Sequence, residues 1–388
     1  MLYQLQKILF ILLLLPASIL SQSNNFEVHE WGTFTSIAGK NGQPQTWRPL
    51  NGASDLPSFV YKIPESQSNC KICTWAQVRM ETPVLYFYAD HEMSANVKVD
   101  FPKGRITEWF PKANVGNTSI TWNNIRINPK SEICYPEEAK ESHYYPARET
   151  DAAPLAIENG EKTEYEKFLF YRGTGSFDLP LSVQLNGDQI KIKSAIPTAL
   201  GTVFLFENHA GKIGFQSINL TNKETIVERQ ALTQSVEGIL SELERTLLAQ
   251  GLYSREAQAM LKTWRDSWFE EGLRVFYLTP PPDTEQILPL TITPKPTKIV
   301  RVLVGRMEIL TPEFIQKIQG LAARVLDDPN AEKEIRRQGR FADGILQEMW
   351  SQTKDERLKA RLQKLWQSNA EAPTRVEGDS TTERILIK

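Results

Sequence analysis

Near Glu228 the spacing of apolar residues switches from a period of two to a helical period, and this switch constrains the fold more than any other feature. From Phe26 to about Thr225, apolar residues alternate with polar ones or form short unbroken runs, as strands do. Beyond it they recur on one helical stripe. Such a chain is expected to be α+β: a β-rich, sandwich-like N-terminal domain, a helical hairpin, a small second β portion and C-terminal helices. The expected boundaries are 24–227 for the β-rich domain, 228–310 for the hairpin and its strands, 311–368 for the helical region and 369–388 for a flexible polar tail.

Within the β-rich part, residues 82–88 are apolar on both faces and read as a central strand, with Pro83 at its start. Residues 97–101 alternate cleanly, and 104–110 read as their hairpin partner. Further strands are expected at 168–171, 181–185, 190–192, 202–207 and 212–218, and Asn186-Gly187-Asp188 reads as a tight turn. The polar insert 114–165 carries Pro129, Pro136 and Pro146 and reads as loop-rich.

Leu232, Val236, Ile239, Leu240, Leu243 and Leu247 mark the first helix, which Gly251 closes as a left-handed cap. Ser254 is expected to cap the second, whose face is Ala257, Met260, Leu261, Trp264 and Trp268. Strands return at 273–278, 287–292 and 298–304, with a loop at Pro280-Pro281-Pro282. Thr311-Pro312-Glu313 opens a helix with the stripe Phe314, Ile318, Leu321 and Val325, which 327–330 break. Two more helices are expected at 340–350 and 354–366.

Residues 1–23 read as a signal peptide: Lys7, then the apolar run 8–15, then smaller residues, with cleavage expected near Ser21 to Ser23. The expected location is therefore secreted or periplasmic, with no transmembrane segment in the mature chain. Of 45 basic and 47 acidic side chains, the leader removes only Lys7. So balanced a charge gives no reason to expect nucleic acid as a partner.

Export permits disulfides. The chain has three cysteines, Cys70, Cys73 and Cys134. A structural disulfide is expected over redox catalysis or a zinc knuckle, because no second C-x-x-C and no thioredoxin-like β-α-β context accompany the pair. Cys70–Cys73 pairing and pairing of either with Cys134 both remain open.

The strand expected at 26–37 holds the candidate polar site. Phe26, Val28, Glu30, Gly32 and Phe34 fall on one face, and His29, Trp31, Thr33 and Thr35 on the other. Glu30 thus lies on an apolar face, where an unpaired carboxylate is costly. Either it meets a partner, for which Arg79 and Arg172 are candidates, or Gly32 marks a bulge. The site is expected to include His29, Glu30, Trp31, His91 and His209. His29, Glu30, His91 and His209 are also the candidate ligands of a divalent metal such as zinc. The fourth histidine is His143.

Asp266 and Glu270 stand four apart on a helix, opposite Trp264 and Trp268, and read as a solvated face with Arg265 and Arg274 as possible partners. Residues 172–177 (Arg-Gly-Thr-Gly-Ser-Phe) lack the ending of a phosphate loop and read as a strand connection, leaving Ser176 without a nucleophile motif. Most of the early tryptophans read as core. No specific catalytic motif emerges. The expected function is that of a binding or structural protein on a β-sandwich scaffold, with carbohydrate or peptide as ligand. The alternative is a metal-assisted hydrolase using His29, Glu30 and nearby histidines.

Three strings resemble those of an uncharacterised family of secreted bacterial proteins: residues 29–35 (His-Glu-Trp-Gly-Thr-Phe-Thr), 80–88 (Met-Glu-Thr-Pro-Val-Leu-Tyr-Phe-Tyr) and 263–272 (Thr-Trp-Arg-Asp-Ser-Trp-Phe-Glu-Glu-Gly). The resemblance runs to about Leu310. It implies export and assigns no catalytic residue, and the Cys70–Cys73 pair is not part of it.

Overall fold

The computed structural model describes residues 25–39, 41–50, 55–63, 75–160, 162–197 and 199–368. The expected leader, the Cys70–Cys73 pair and the expected tail lie outside the described residues.

The chain is α+β. Among the described residues its middle layer is a nine-stranded sheet. The order is β14 (Lys212–Leu220), β13 (Gly201–His209), β16 (Gly272–Leu278), β18 (Lys298–Ile309), β1 (Phe26–Ala38), β3 (Val78–Ala89), β10 (Leu169–Gly175), β5 (Gly104–Phe110) and β2 (Tyr61–Lys62). β1 runs parallel to β18 and antiparallel to β3, so the strand with the unusual carboxylate is fully flanked. β16 and β18 pair into this sheet, which therefore crosses the boundary expected at 228.

One face of the sheet packs on two smaller sheets. The first orders β17 (Leu290–Thr293), β4 (Met93–Asp100), β7 (Ser119–Ile127), β8 (Leu155–Asn159) and β9 (Lys162–Glu166), with β6 (Asn114–Val115) on β7. The second is β11 (Leu181–Asn186), β12 (Gln189–Ser194) and β15 (Glu224–Glu228). Val28, Phe34, Leu85 and Phe87 meet Val97, Trp122, Val183 and Ile190 in this sandwich core. The opposite face packs on the hairpin α1 (Val236–Ala249) and α2 (Ser254–Trp268), where Trp31, Val84 and Phe276 meet Leu243, Met260 and Trp268. Past α3 (Pro281–Ile287), the helices α4 (Pro312–Arg324), α5 (Pro329–Arg337), α6 (Arg340–Gln352) and α7 (Glu356–Ser368) bury their own cluster around Ile318, Leu346 and Leu362.

Several local expectations hold. The alternation of β1 is as read: Phe26, Val28 and Phe34 enter the sandwich core and Trp31 the helix-side core. Gly187 turns β11 into β12 with φ of 63°, Gly251 ends the first helix at φ 99°, and the Thr311 hydroxyl accepts from Phe314 N. Trp31, Trp47, Trp109 and Trp122 are buried.

Others are corrected. The hairpin expected between 97–101 and 104–110 does not form: β4 joins the six-stranded sheet and β5 the central one. Phe101 is buried against Gly104 at the crossing, a choice between sheets that alternation cannot reveal. Pro83 lies inside β3, at a bulge where Thr82 and Pro83 together face Gly32. The three prolines 280–282 lead into a helix, and 329–337 are helical, started by Asp328 accepting from Asn330 N. The insert 114–165 supplies four strands.

Candidate functional site

The expected site residues do not gather. His29 and Glu30 are both fully buried but lie on opposite faces of β1. On the helix side, His29 Nδ1 is 2.8 Å from Glu256 of α2, whose other oxygen accepts from Tyr88 at 2.9 Å. On the sandwich side, Glu30 accepts from the Tyr171 hydroxyl and pairs with Arg301 at 2.6 Å. Burial pulls the Arg301 guanidinium down, but Glu30 and Tyr171 outweigh it and leave it raised. The partner of Glu30 is thus Arg301, not Arg79 or Arg172. The bulge at Gly32 exists as well, so both alternatives hold. Trp31 is core. His91 is half-buried beside Asp90, and His209 is exposed 3.2 Å from Glu271. Among the described residues no group of three or more His, Cys, Asp and Glu is placed to hold a metal ion.

The structure instead assembles a site around His143. The 3₁₀ turn Tyr145–Arg148 and the residues before it lie against the C-terminal half of α2, and between them opens a cleft of about 980 Å³. Residues from the insert, the start of α1, α2 and the segment at Asp55 wall it. His143 Nδ1 is 2.9 Å from Asp55 Oδ2, and Nε2 is 2.9 Å from Asp266 Oδ1. Its ring stands 5.4 Å from that of Trp264. Burial would pull the imidazolium down, but the hydrogen bonds to Asp266 and Asp55 outweigh it and push its pKa up to about 9. His143 therefore carries its proton at neutral pH. With both ring nitrogens engaged as donors, it has no lone pair to serve as a general base.

The charges continue inward from this pair. Burial would raise the Asp55 carboxyl, but Arg172 and His143 hold it well below the ordinary range. Arg172, itself buried, grips Asp55 with two nitrogens at 2.7 and 3.0 Å and donates to Thr82 Oγ1 at 3.2 Å. Thr82 has φ of 48°, a left-handed conformation that is rare for a β-branched residue. So Asp266, His143, Asp55, Arg172 and Thr82 form one chain from the cleft to the bulge of β3. Ion pairs also fix the rim: Lys262 meets Glu149 at 2.6 Å, and Arg265 meets Glu237 at 2.8 Å.

Asp266 and Glu270 are accordingly not idle. Asp266 holds His143 and Glu270 holds Arg306 at 2.7 Å, while Arg265 and Arg274 pair elsewhere. No local spacing foretells this, because His143 and Asp266 are 123 positions apart. The one available signal was a histidine in a polar insert.

No protein-family model matches the chain, and no curated protein matches it in sequence. Among solved structures it is similar to the yeast delta-COP-I mu-homology domain, alone and complexed with a Dsl1 WxWxV peptide. Each is 8% identical and covers 74% of this chain and 96% of the other, with TM-scores of 0.28 and 0.27. A bacterial ice-binding adhesin matches at 9% identity, covering 58% of this chain and 55% of its own, with a TM-score of 0.14. Scores this low do not establish a common fold. No described helix is long and apolar enough to cross a membrane.

Proposed function

We propose that this is an exported binding protein that belongs with the secreted family whose strings it shares, and that its ligand lies in the cleft beside His143. One observation carries the reading: an open cleft on whose wall His143, Asp55 and Asp266 are held by one another and by the buried Arg172 before any ligand arrives. Locked side chains lower the ordering cost of binding. The same locking occupies both ring nitrogens of His143, so the cleft's one imidazole is not free to act as a general base. Export rests on the order of charge, apolar run and small residues in the first 23 positions.

The test is native mass spectrometry of protein recovered from the periplasm or medium of its host, as wild type and as Val236→Trp, which narrows the cleft from the start of α1. A bound small molecule present on wild type and lost from the variant supports the reading. A ligand retained by the variant places it elsewhere. N-terminal sequencing of the same material decides export, and a retained Met1 would sink it.

A further inference from the structure

We infer that the ligand of the His143 cleft is a neutral oligosaccharide, an inference that rests on the cleft being the binding site. The first argument is charge. The lining contributes four cations, Lys140, His143, Lys262 and Arg265, and four carboxylates, Asp55, Glu141, Glu149 and Asp266. His143, Lys262 and Arg265 are each paired within the protein, at 2.6 to 2.9 Å. With four charges of each sign, an ionic ligand would find no net complement here.

The second argument is hydrogen bonding. A carboxylate accepts at up to four positions and an ammonium donates three protons, so a paired Lys262 and Glu149 still offer donors and acceptors side by side. A sugar hydroxyl is donor and acceptor at once, and adjacent hydroxyls match adjacent donor–acceptor pairs. Charged partners make each such bond stronger than a neutral one.

The third argument is the wall. One mode of peptide binding adds an extended strand to a free sheet edge. This cleft is walled by α2, a 3₁₀ turn and connecting segments, which offer no such edge. What it offers between the polar groups is Tyr145, Pro146 and Val236, apolar surface suited to the C–H face of a sugar ring. Its volume of about 980 Å³ is at the upper end for small-ligand sites. That leaves room for more than one ring.

The experiment is calorimetric titration of the full mature protein with maltohexaose, cellohexaose, xylohexaose and chitohexaose. A tryptic peptide mixture and an oligogalacturonate serve as the charged alternatives. The expected result is that at least one neutral hexasaccharide binds with an affinity that does not change between low and high salt. Lys262→Met and Glu149→Gln, both on the exposed rim, should each weaken it about tenfold while leaving the melting temperature unchanged. Binding of peptide or oligogalacturonate instead, weakened by the same two variants, overturns the ligand class and leaves the cleft as the site. Hexasaccharide binding indifferent to both variants overturns the cleft. If none of the hexasaccharides binds, the inference is wrong.

Discussion

Asp266, in the last turn of α2, holds Nε2 of a histidine 123 positions earlier, at 2.9 Å from His143. At the first turn of the same helix, Glu256 holds His29 of β1 at 2.8 Å. One helix is thus pinned at both ends by carboxylate–imidazole pairs, one deep in the core and one on the wall of the cleft. In the outer pin His143 is 28% and Asp266 64% exposed, while neither partner of the inner one is exposed, so the outer one is where solution conditions act first.

That pin should make stability depend on alkaline pH. In the folded chain the His143 pKa is raised to about 9, against 6.5 for an unperturbed histidine. A raised pKa stabilises the fold fully below the unfolded value, and the benefit is lost as pH climbs through the folded one. The window is therefore about 6.5 to 9. Urea unfolding across it should show wild type losing about 2 kcal/mol relative to His143→Gln, after discounting for the exposure of Asp266. Parallel curves for the two proteins would mean that the imidazolium is not held as described.

Glu30 should behave as a structural ion. In Glu30→Gln, Arg301 stays buried beside a neutral amide and keeps only Glu285 of its two carboxylates. The expected loss is about 3 kcal/mol, with no shift of the melting temperature on adding zinc to either protein. Unchanged stability, or a zinc-dependent melt in wild type alone, would return Glu30 to a ligand-binding role.

The bulge gives a third test. A Cβ on Gly32 would stand 2.9 Å from Pro83 Cα, a backbone atom that cannot swing aside. Gly32→Ala should cost about 1–3 kcal/mol by overpacking. Gly160→Ala is the comparison: its φ is 63° with open space around it, so it carries only the conformational cost of about 1 kcal/mol. Equal losses at the two sites would show that β3 shifts away freely.

The sequence disclosed what local periodicity can carry. The faces of β1, the stripe of α1, the cap at Gly251 and the need of Glu30 for a partner all follow from residues within a few positions of one another. Pairings between distant segments lay beyond it. Arg301 reaches Glu30 across 271 positions, and nothing in either neighbourhood names the other. Arg79 and Arg172 were the candidates because they stand beside strands, yet Arg172 sits on the opposite face, since Tyr171 takes the sandwich side. The candidate site was missed for the same reason. His143, Asp55 and Asp266 come from three segments, each of which reads locally as solvated, and only the docking of the insert on α2 joins them. Pro83 inside β3 was hidden differently, because a proline in a central strand is excluded until a bulge removes the need for its N–H.

The last prediction asks whether the chain from the cleft to the bulge acts as one unit. Arg172 grips Asp55 with two nitrogens and also donates to Thr82, a β-branched residue at φ 48°. Arg172→Met removes the buried charge, leaving Asp55 to His143 alone and taking the donor from Thr82 Oγ1, so it should cost about 3 kcal/mol. Arg172→Lys should cost nearly as much, because an ammonium cannot reproduce the fork. His143→Gln removes the other group holding Asp55. If both act through that carboxylate, the double variant should lose less than the two single losses together, by more than about 1 kcal/mol. Urea unfolding of the four proteins near pH 7 closes the cycle. Additive losses would separate the cleft from the strand, and the rigidity of the cleft wall would then have to come from its rim ion pairs alone.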